Sequence, residues 1–247
     1  MKSYRDVGVV LRNHQLGEAD RIVALLTREH GLVRAVAKGV RRTRSKFGAR
    51  LEPFSCVDVQ LYQGRSLDVI TQAATLDANS EEITADYGKY TTGCAILETA
   101  TLLAGPQGAP AGQLHTLTRG ALAALRKGEK PRDLILAAFF LRAMGHAGWM
   151  PALADCARCG KEGPHRAFHP RAGGVVCPLC RPPGSSTPGL GVFDLMAALA
   201  EGRWDDAAAA STAARAQASG LTAAHLQCHL EYQLRTLSLV EGLAEAS

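Results

Sequence analysis

LVRAVAKGVRRTRSKFGARLEPFSCVDVQLY, residues 32–62, has strand-like sequence at both ends and a strongly cationic middle. In CVDVQLY (56–62), Val57, Val59 and Leu61 fall on one face, and Asp58 and Gln60 on the other. That period of two is the mark of a half-buried strand. LVRAVAK (32–38) reads as a second strand. Between them, residues 37–50 hold six Lys/Arg and no acid, with Gly39 and Gly48 bracketing the run. A strand, a long basic loop and another strand predict a sheet protein that offers cations from a connection.

Working outward, VGVVLR (7–12), RIVALLT (21–27) and LDVITQAATL (67–76) are also β-branched and apolar. NHQLGEAD (13–20) reads as a loop and QGRS (63–66) as a turn. Five short strands, with one long basic connection after the third, predict a small barrel.

The pattern changes after residue 80. DYGKYTTGCAILETATLLAG (86–105) repeats apolar residues at three and four and stops at Gly105-Pro106. QLHTLTRGALAALRK (113–127) is a second helix, closed by Gly128. Pro131 opens RDLILAAFFLRAMGHAGW (132–149), the most apolar helix. Helical sequence resumes at 192–202. The alanine-rich stretch 204–218 reads as helix, and 222–243 as one long last helix. The predicted fold class is therefore α+β and multi-domain. Residues 1–80 form a barrel, and 81–247 form an all-α bundle with a separate module at 153–184.

That module carries the strongest short-range signal. Residues 156–180 read CARCGKEGPHRAFHPRAGGVVCPLC: C-x2-C, seventeen residues, then C-x2-C. Two thiolates one tight turn apart can fill two corners of a tetrahedron, and a second such turn completes it. Cys156, Cys159, Cys177 and Cys180 are the expected ligands of a structural zinc ion. His165 and His169 read as loop residues. A four-thiolate site leaves no open position for water, so it scaffolds rather than reacts. No H-x-E precedes the pairs, which sets aside a zinc deaminase. Cys56, Cys94 and Cys228 sit in apolar patterns and read as buried, inert thiols.

Charge then points to a partner. The net charge is +5. Residues 1–80 hold thirteen Lys/Arg against eight Asp/Glu, whereas 81–247 hold fifteen of each. A merely solvated surface mixes signs. Segregation of this kind favours a polyanion, although a solvated flexible loop would carry the same charges. Lys38, Arg41, Arg42, Arg34, Arg44, Lys46 and Arg50 are the candidate phosphate contacts, and Phe47 and Tyr62 are the candidate stacking platforms or core residues. No apolar run reaches the ~18 residues of a membrane span. No signal-peptide pattern opens the chain, which reads as soluble and intracellular.

The run Glu18-Ala-Asp20-Arg-Ile-Val-Ala-Leu-Leu-Thr27, then Ala37-Lys38-Gly39-Val-Arg41-Arg42, Ser45 and Leu51-Glu52-Pro53-Phe54 resembles the bacterial RecO family. A helical second half with a two-pair cysteine module fits the same family. The resemblance implies an OB-fold at the N-terminus and no catalytic residue. It implies binding of single- and double-stranded DNA, annealing of complementary strands and joint action with RecR. It also implies docking on the C-terminal tail of single-stranded DNA-binding protein, help in loading RecA, and a cytoplasmic, nucleoid-associated location. DNA contact carries over onto Lys38, Arg41 and Arg42. Arg126, Lys127, Lys130 and Arg132 cluster between two apolar helices. Cations there can rim a pocket for that tail, or simply be solvated. An RNA-binding or ribosome-associated zinc protein would share the charge pattern. A zinc-containing nucleic-acid enzyme would need a carboxylate dyad. The adjacent pairs Glu81-Glu82 and Asp205-Asp206 point apart on a helix and make none.

Overall fold

The computed structural model describes residues 2–43, 45, 47–105, 107, 109 and 111–244, with side chains as far as residue 240. By packing, the chain divides into two compact units. One comprises residues 1–128 together with 239–247, and the other residues 129–238.

Five strands build the first unit: β1 (Ser3–Leu16), β2 (Asp20–Thr27), β3 (Gly31–Ala37), β4 (Cys56–Tyr62) and β5 (Asp68–Asp77). They close into a barrel in the order β1-β2-β3-β5-β4, with β4 returning to pair antiparallel with β1. Only the β3–β5 pairing is parallel, through Ala35–Asp68 and Val36–Val69. This is the expected OB-like barrel. Val10, Val23, Leu25, Val33, Val57, Val59, Leu61 and Ile70 fill its interior. Strand alternation drives this choice, because it sends every second side chain inward.

Two details of β1 depart from the sequence reading. The strand runs on to Leu16, so most of the expected 13–20 loop is ladder, and only residues 17–19 turn. Gly17 takes a φ of 58°, which makes so short a turn feasible. The register also shifts between Val10 and Arg12. Such a bulge reverses which face later residues occupy.

Three helices complete the described part of this unit up to residue 128: α1 (Ser80–Thr84), α2 (Tyr87–Leu103) and α3 (Gly112–Lys127). The Asp86 carboxylate caps α2 by accepting from the Lys89 amide at 2.7 Å. Arg119 Nε donates to Asp77 Oδ2 at 2.5 Å, tying α3 to β5.

In the second unit, α4 (Arg132–His146), α5 (Val192–Glu201) and α7 (Thr212–Leu230) pack together, with α6 (Trp204–Ala208) against α5. Leu134 through Leu141 of α4 are all buried, as its apolar sequence demands. A two-stranded sheet, β6 (Ala167–His169) and β7 (Gly174–Val176), lies between α4 and α5 in the sequence.

The C-terminal helices differ from expectation. The alanine-rich stretch splits at Ser211, whose hydroxyl caps α7 by accepting from the Ala214 amide at 3.2 Å. Serine competes for backbone groups and so starts helices better than it continues them. The single helix over 222–243 is broken as well. Glu231 adopts a φ of 50°, and the chain resumes as α8 (Leu237–Ala244). Gln227 Oε1 takes up the Leu234 amide at 3.1 Å across the break.

Candidate nucleic-acid interface and metal centre

The basic loop is held at both ends. Where it leaves β3, Gly39 has a φ of 67° and donates its amide to Asp20 Oδ1 at 2.7 Å. Two residues on, the Arg41 amide reaches Ala19 O at 3.0 Å, and Arg41 Nη1 reaches Glu18 O, also at 3.0 Å. At the far end, Phe47 and Leu51 insert into the barrel core, each 1% exposed. Asn13 Nδ2 donates to Leu51 O at 2.8 Å, and Arg21 Nη1 lies 2.6 Å from Glu52 Oε1.

Glu18, Ala19, Asp20, Arg21, Leu51 and Glu52, spread over two separate sequence runs, therefore converge on one loop. The sequence gives Asp20 no binding role, only that of capping or orienting the turn after the first strand. In the fold, it and the Arg21–Glu52 pair brace the basic connection.

Arg34, Lys38, Arg41, Arg42 and Arg50 are all exposed. The side chains of Arg34, Lys38 and Arg42 enter no ion pair among the described residues. Arg44 and Lys46 lie outside the described residues. Phe47 is core and not a surface platform, whereas Tyr62 is 40% exposed.

Arg12 is the residue the sequence reading missed. It is exposed and registers with Ala24 of β2, which in turn registers with Arg34 of β3. Arg12 and Arg34 thus share one outward row. Simple alternation from the buried Val10 would send Arg12 inward. The bulge instead buries Leu11, at 5% exposure, and turns Arg12 out.

Arg126 and Lys127 end α3 in the first unit, while Lys130 and Arg132 flank the start of α4 in the second. Lys130 Nζ sits 3.9 Å from the ring centroid of Trp204, which engages its charge locally. Arg126 Nη1 is 4.0 Å from Glu82 Oε1.

In the cysteine module, the ligand atoms of Cys156, Cys159, Cys177 and Cys180 all lie within 4.8 Å of one another. Each pair rides a tight turn. Gly160 donates to Cys156 O at 2.8 Å, and Cys180 donates to Cys177 O at 3.1 Å. The β6–β7 pairing delivers Cys177 directly after Val176. Cys156, Ala167, Val176 and Cys177 make a small core of their own.

The donor set suits a soft or borderline dication. Thiolates at about 2.3 Å from a tetrahedral zinc stand about 3.8 Å apart, and Cys159 and Cys177 are separated by 3.9 Å. The Cys177 amide, 3.4 Å from Cys156 Sγ, heads the amides that draw the Cys156 thiol down to about 6. Donating its thiol proton toward the sulfurs of Cys159 and Cys177 pushes Cys180 up to about 12. Four sulfurs this close cannot all ionise unless a cation offsets their mutual repulsion.

His165 is half-buried, and its Nε2 contacts Lys161 O at 2.8 Å rather than the sulfurs. Of the other cysteines, Cys56 is buried and its thiol is raised to about 11 by that burial. Cys94 and Cys228 are only half-buried, less enclosed than expected.

The chain thus combines a closed barrel carrying a basic loop, a set of helices, and a four-cysteine cluster that could hold a metal ion. Family models agree. Residues 1–79 match recombination protein O N terminal, and residues 84–238 match recombination protein O C terminal. The chain belongs to the recombination protein O family of DNA-repair recombination mediators. Members of that family are mediators rather than enzymes. Among the described residues, no helix is long and apolar enough to cross a membrane.

Proposed function

We propose that this mediator binds single- and double-stranded DNA on the cationic side of its barrel and anneals complementary strands without ATP. Arg34, Lys38, Arg41, Arg42 and Arg50 are the proposed phosphate contacts, joined by Arg12 and by Arg44 and Lys46 of the same loop. The observation that carries this reading is the exposed set Arg12, Arg34, Lys38 and Arg42, which enter no ion pair among the described residues. Two acids beside that set are already engaged: Asp20 by a backbone amide and Glu52 by Arg21.

The mechanism is electrostatic. Cations on the barrel neutralise phosphate repulsion between two strands, release counterions, and leave base pairing to supply specificity. Five contacts on a single strand give a log–log salt slope of about −3.5.

In this reading residues 1–80 are the DNA-binding domain. The helical remainder, with its module at 153–184, serves partners: RecR, the tail of single-stranded DNA-binding protein, and RecA indirectly. The working site is the cytoplasmic nucleoid. Arg126, Lys127, Lys130 and Arg132 are the proposed contacts for the acidic tail. Reversing their charge should weaken tail-peptide binding, and unchanged affinity would remove that assignment. Cys156, Cys159, Cys177 and Cys180 would hold a structural zinc ion, which supplies folding energy to a segment with little core.

The test neutralises Lys38, Arg41 and Arg42 together and measures oligonucleotide affinity, annealing and thermal melting. Lost binding with an intact melt supports the interface. Unchanged binding refutes it. A matched RNA strand in competition distinguishes DNA from RNA as the preferred polymer.

A further inference from the structure

An acidic side chain beside a DNA-binding loop ordinarily opposes binding, because it repels phosphate. Asp20 has a different place in this fold. Its carboxylate accepts the Gly39 amide at 2.7 Å, at the left-handed bend where the basic loop departs from β3. Directly after the bend, Arg41 returns to the β1–β2 turn twice, through its amide to Ala19 O and through Nη1 to Glu18 O, both at 3.0 Å. The Arg42 amide then closes on Gly39 O at 3.2 Å. These bonds join the turn at 17–19 to residues 39–42.

We infer that Asp20 and Arg41 form a clip that fixes the start of the basic loop against the β1–β2 turn, so Asp20 strengthens polyanion binding despite its charge. The inference rests on the DNA-binding reading above. Beyond the phosphate contact proposed for it above, Arg41 has a positioning role in this scheme, and Lys38 and Arg42 are the contacts whose spacing it sets. A loop fixed before binding loses less conformational freedom on meeting a phosphate chain, so more of the contact energy appears as affinity. The electrostatic and positional effects of Asp20 have opposite signs, which makes the clip testable.

The experiment uses the full chain and an oligo-dT strand, titrated by fluorescence anisotropy at several salt concentrations. Amide exchange is followed at Gly39 and Arg41, and melting is recorded for every variant. Asp20→Ala should bind about fivefold more weakly, with a salt slope shallower by about one and faster exchange at both amides. Asp20→Asn removes the charge but keeps an oxygen acceptor. It should retain the parent slope and the protection. Arg41→Lys keeps the charge and shortens the reach to Glu18 O, and it should also weaken binding. This variant carries the test by itself if Asp20→Ala fails to fold.

The clip is overturned if Asp20→Ala binds as tightly as the parent or tighter, if Asp20→Asn falls as far as Asp20→Ala, or if Arg41→Lys matches the parent. Lys38→Ala/Arg42→Ala serves as the control. If it weakens binding while the clip variants do not, the clip alone fails. If it binds like the parent, the DNA-binding reading fails and the clip goes with it.

Discussion

Arg12 and Arg34 stand in one cross-strand row of the barrel, each registered with Ala24 between them. Two arginines one strand apart on either side of a methyl group make a cationic row that a phosphate backbone can follow. Arg12→Ala should therefore reduce the salt slope on single strands by about 0.7 and leave the melt unchanged. Anisotropy titrations across salt check both parts. An unaltered slope would place Arg12 outside the track.

Phe47 lies in the middle of the basic run, yet it is 1% exposed and packs with Val33, Val40 and Leu51 inside the barrel. It anchors the loop rather than stacking on bases. Phe47→Ala should cost about 3–5 kcal/mol of stability. Phe47→Leu, which keeps an apolar anchor, should hold DNA affinity within about twofold. A stacking role would show the reverse: an intact melt with affinity lost in both variants.

The cysteine module predicts one tightly held metal ion per chain, measured by elemental analysis of protein purified under reducing conditions. Cys177→Ser should lose the ion, because three thiolates and a hydroxyl hold a borderline dication far less well. A strong chelator should expose the backbone of residues 152–187 to amide exchange while barrel-dependent oligonucleotide binding persists. DNA affinity that fell in step with metal loss would contradict a purely structural ion.

Two buried histidines predict acid sensitivity. His115 of α3 is 3% exposed, and its Nε2 has no hydrogen-bond partner among the described residues. His225 of α7 is 1% exposed, with Nε2 3.0 Å from Trp149 O. Burial lowers both below the ordinary value of 6.5. A lowered folded value means the unfolded chain binds more protons. Their contribution is therefore complete above about 6.5 and declines as pH falls toward the folded values. Melting temperatures should drop between pH 7 and 5. His115→Gln and His225→Gln should each flatten that profile, and an unchanged profile in both would refute the assignment.

What the sequence settled by itself was local. The Cys156–Cys159 and Cys177–Cys180 spacings specify two tight turns, and four sulfurs brought together in this way could hold a cation. Val57, Val59 and Leu61 name their own inward face, because a strand has a period of two. The charge excess of residues 1–80 is likewise plain without a fold. Other features needed contacts between distant segments or a break in periodicity. The bulge at Leu11 reverses the side on which Arg12 emerges, and no composition signal marks it. Asp20 meets Gly39, and Arg21 meets Glu52, only because β2 pairs with β3 and the loop folds back onto the barrel. Ser211 and Glu231 interrupt helical sequence through backbone choices of a single residue. Periodicity reports what a segment prefers to bury. Tertiary structure alone decides which polar groups across the chain lie close enough to bond, and here those bonds hold the two ends of the basic connection.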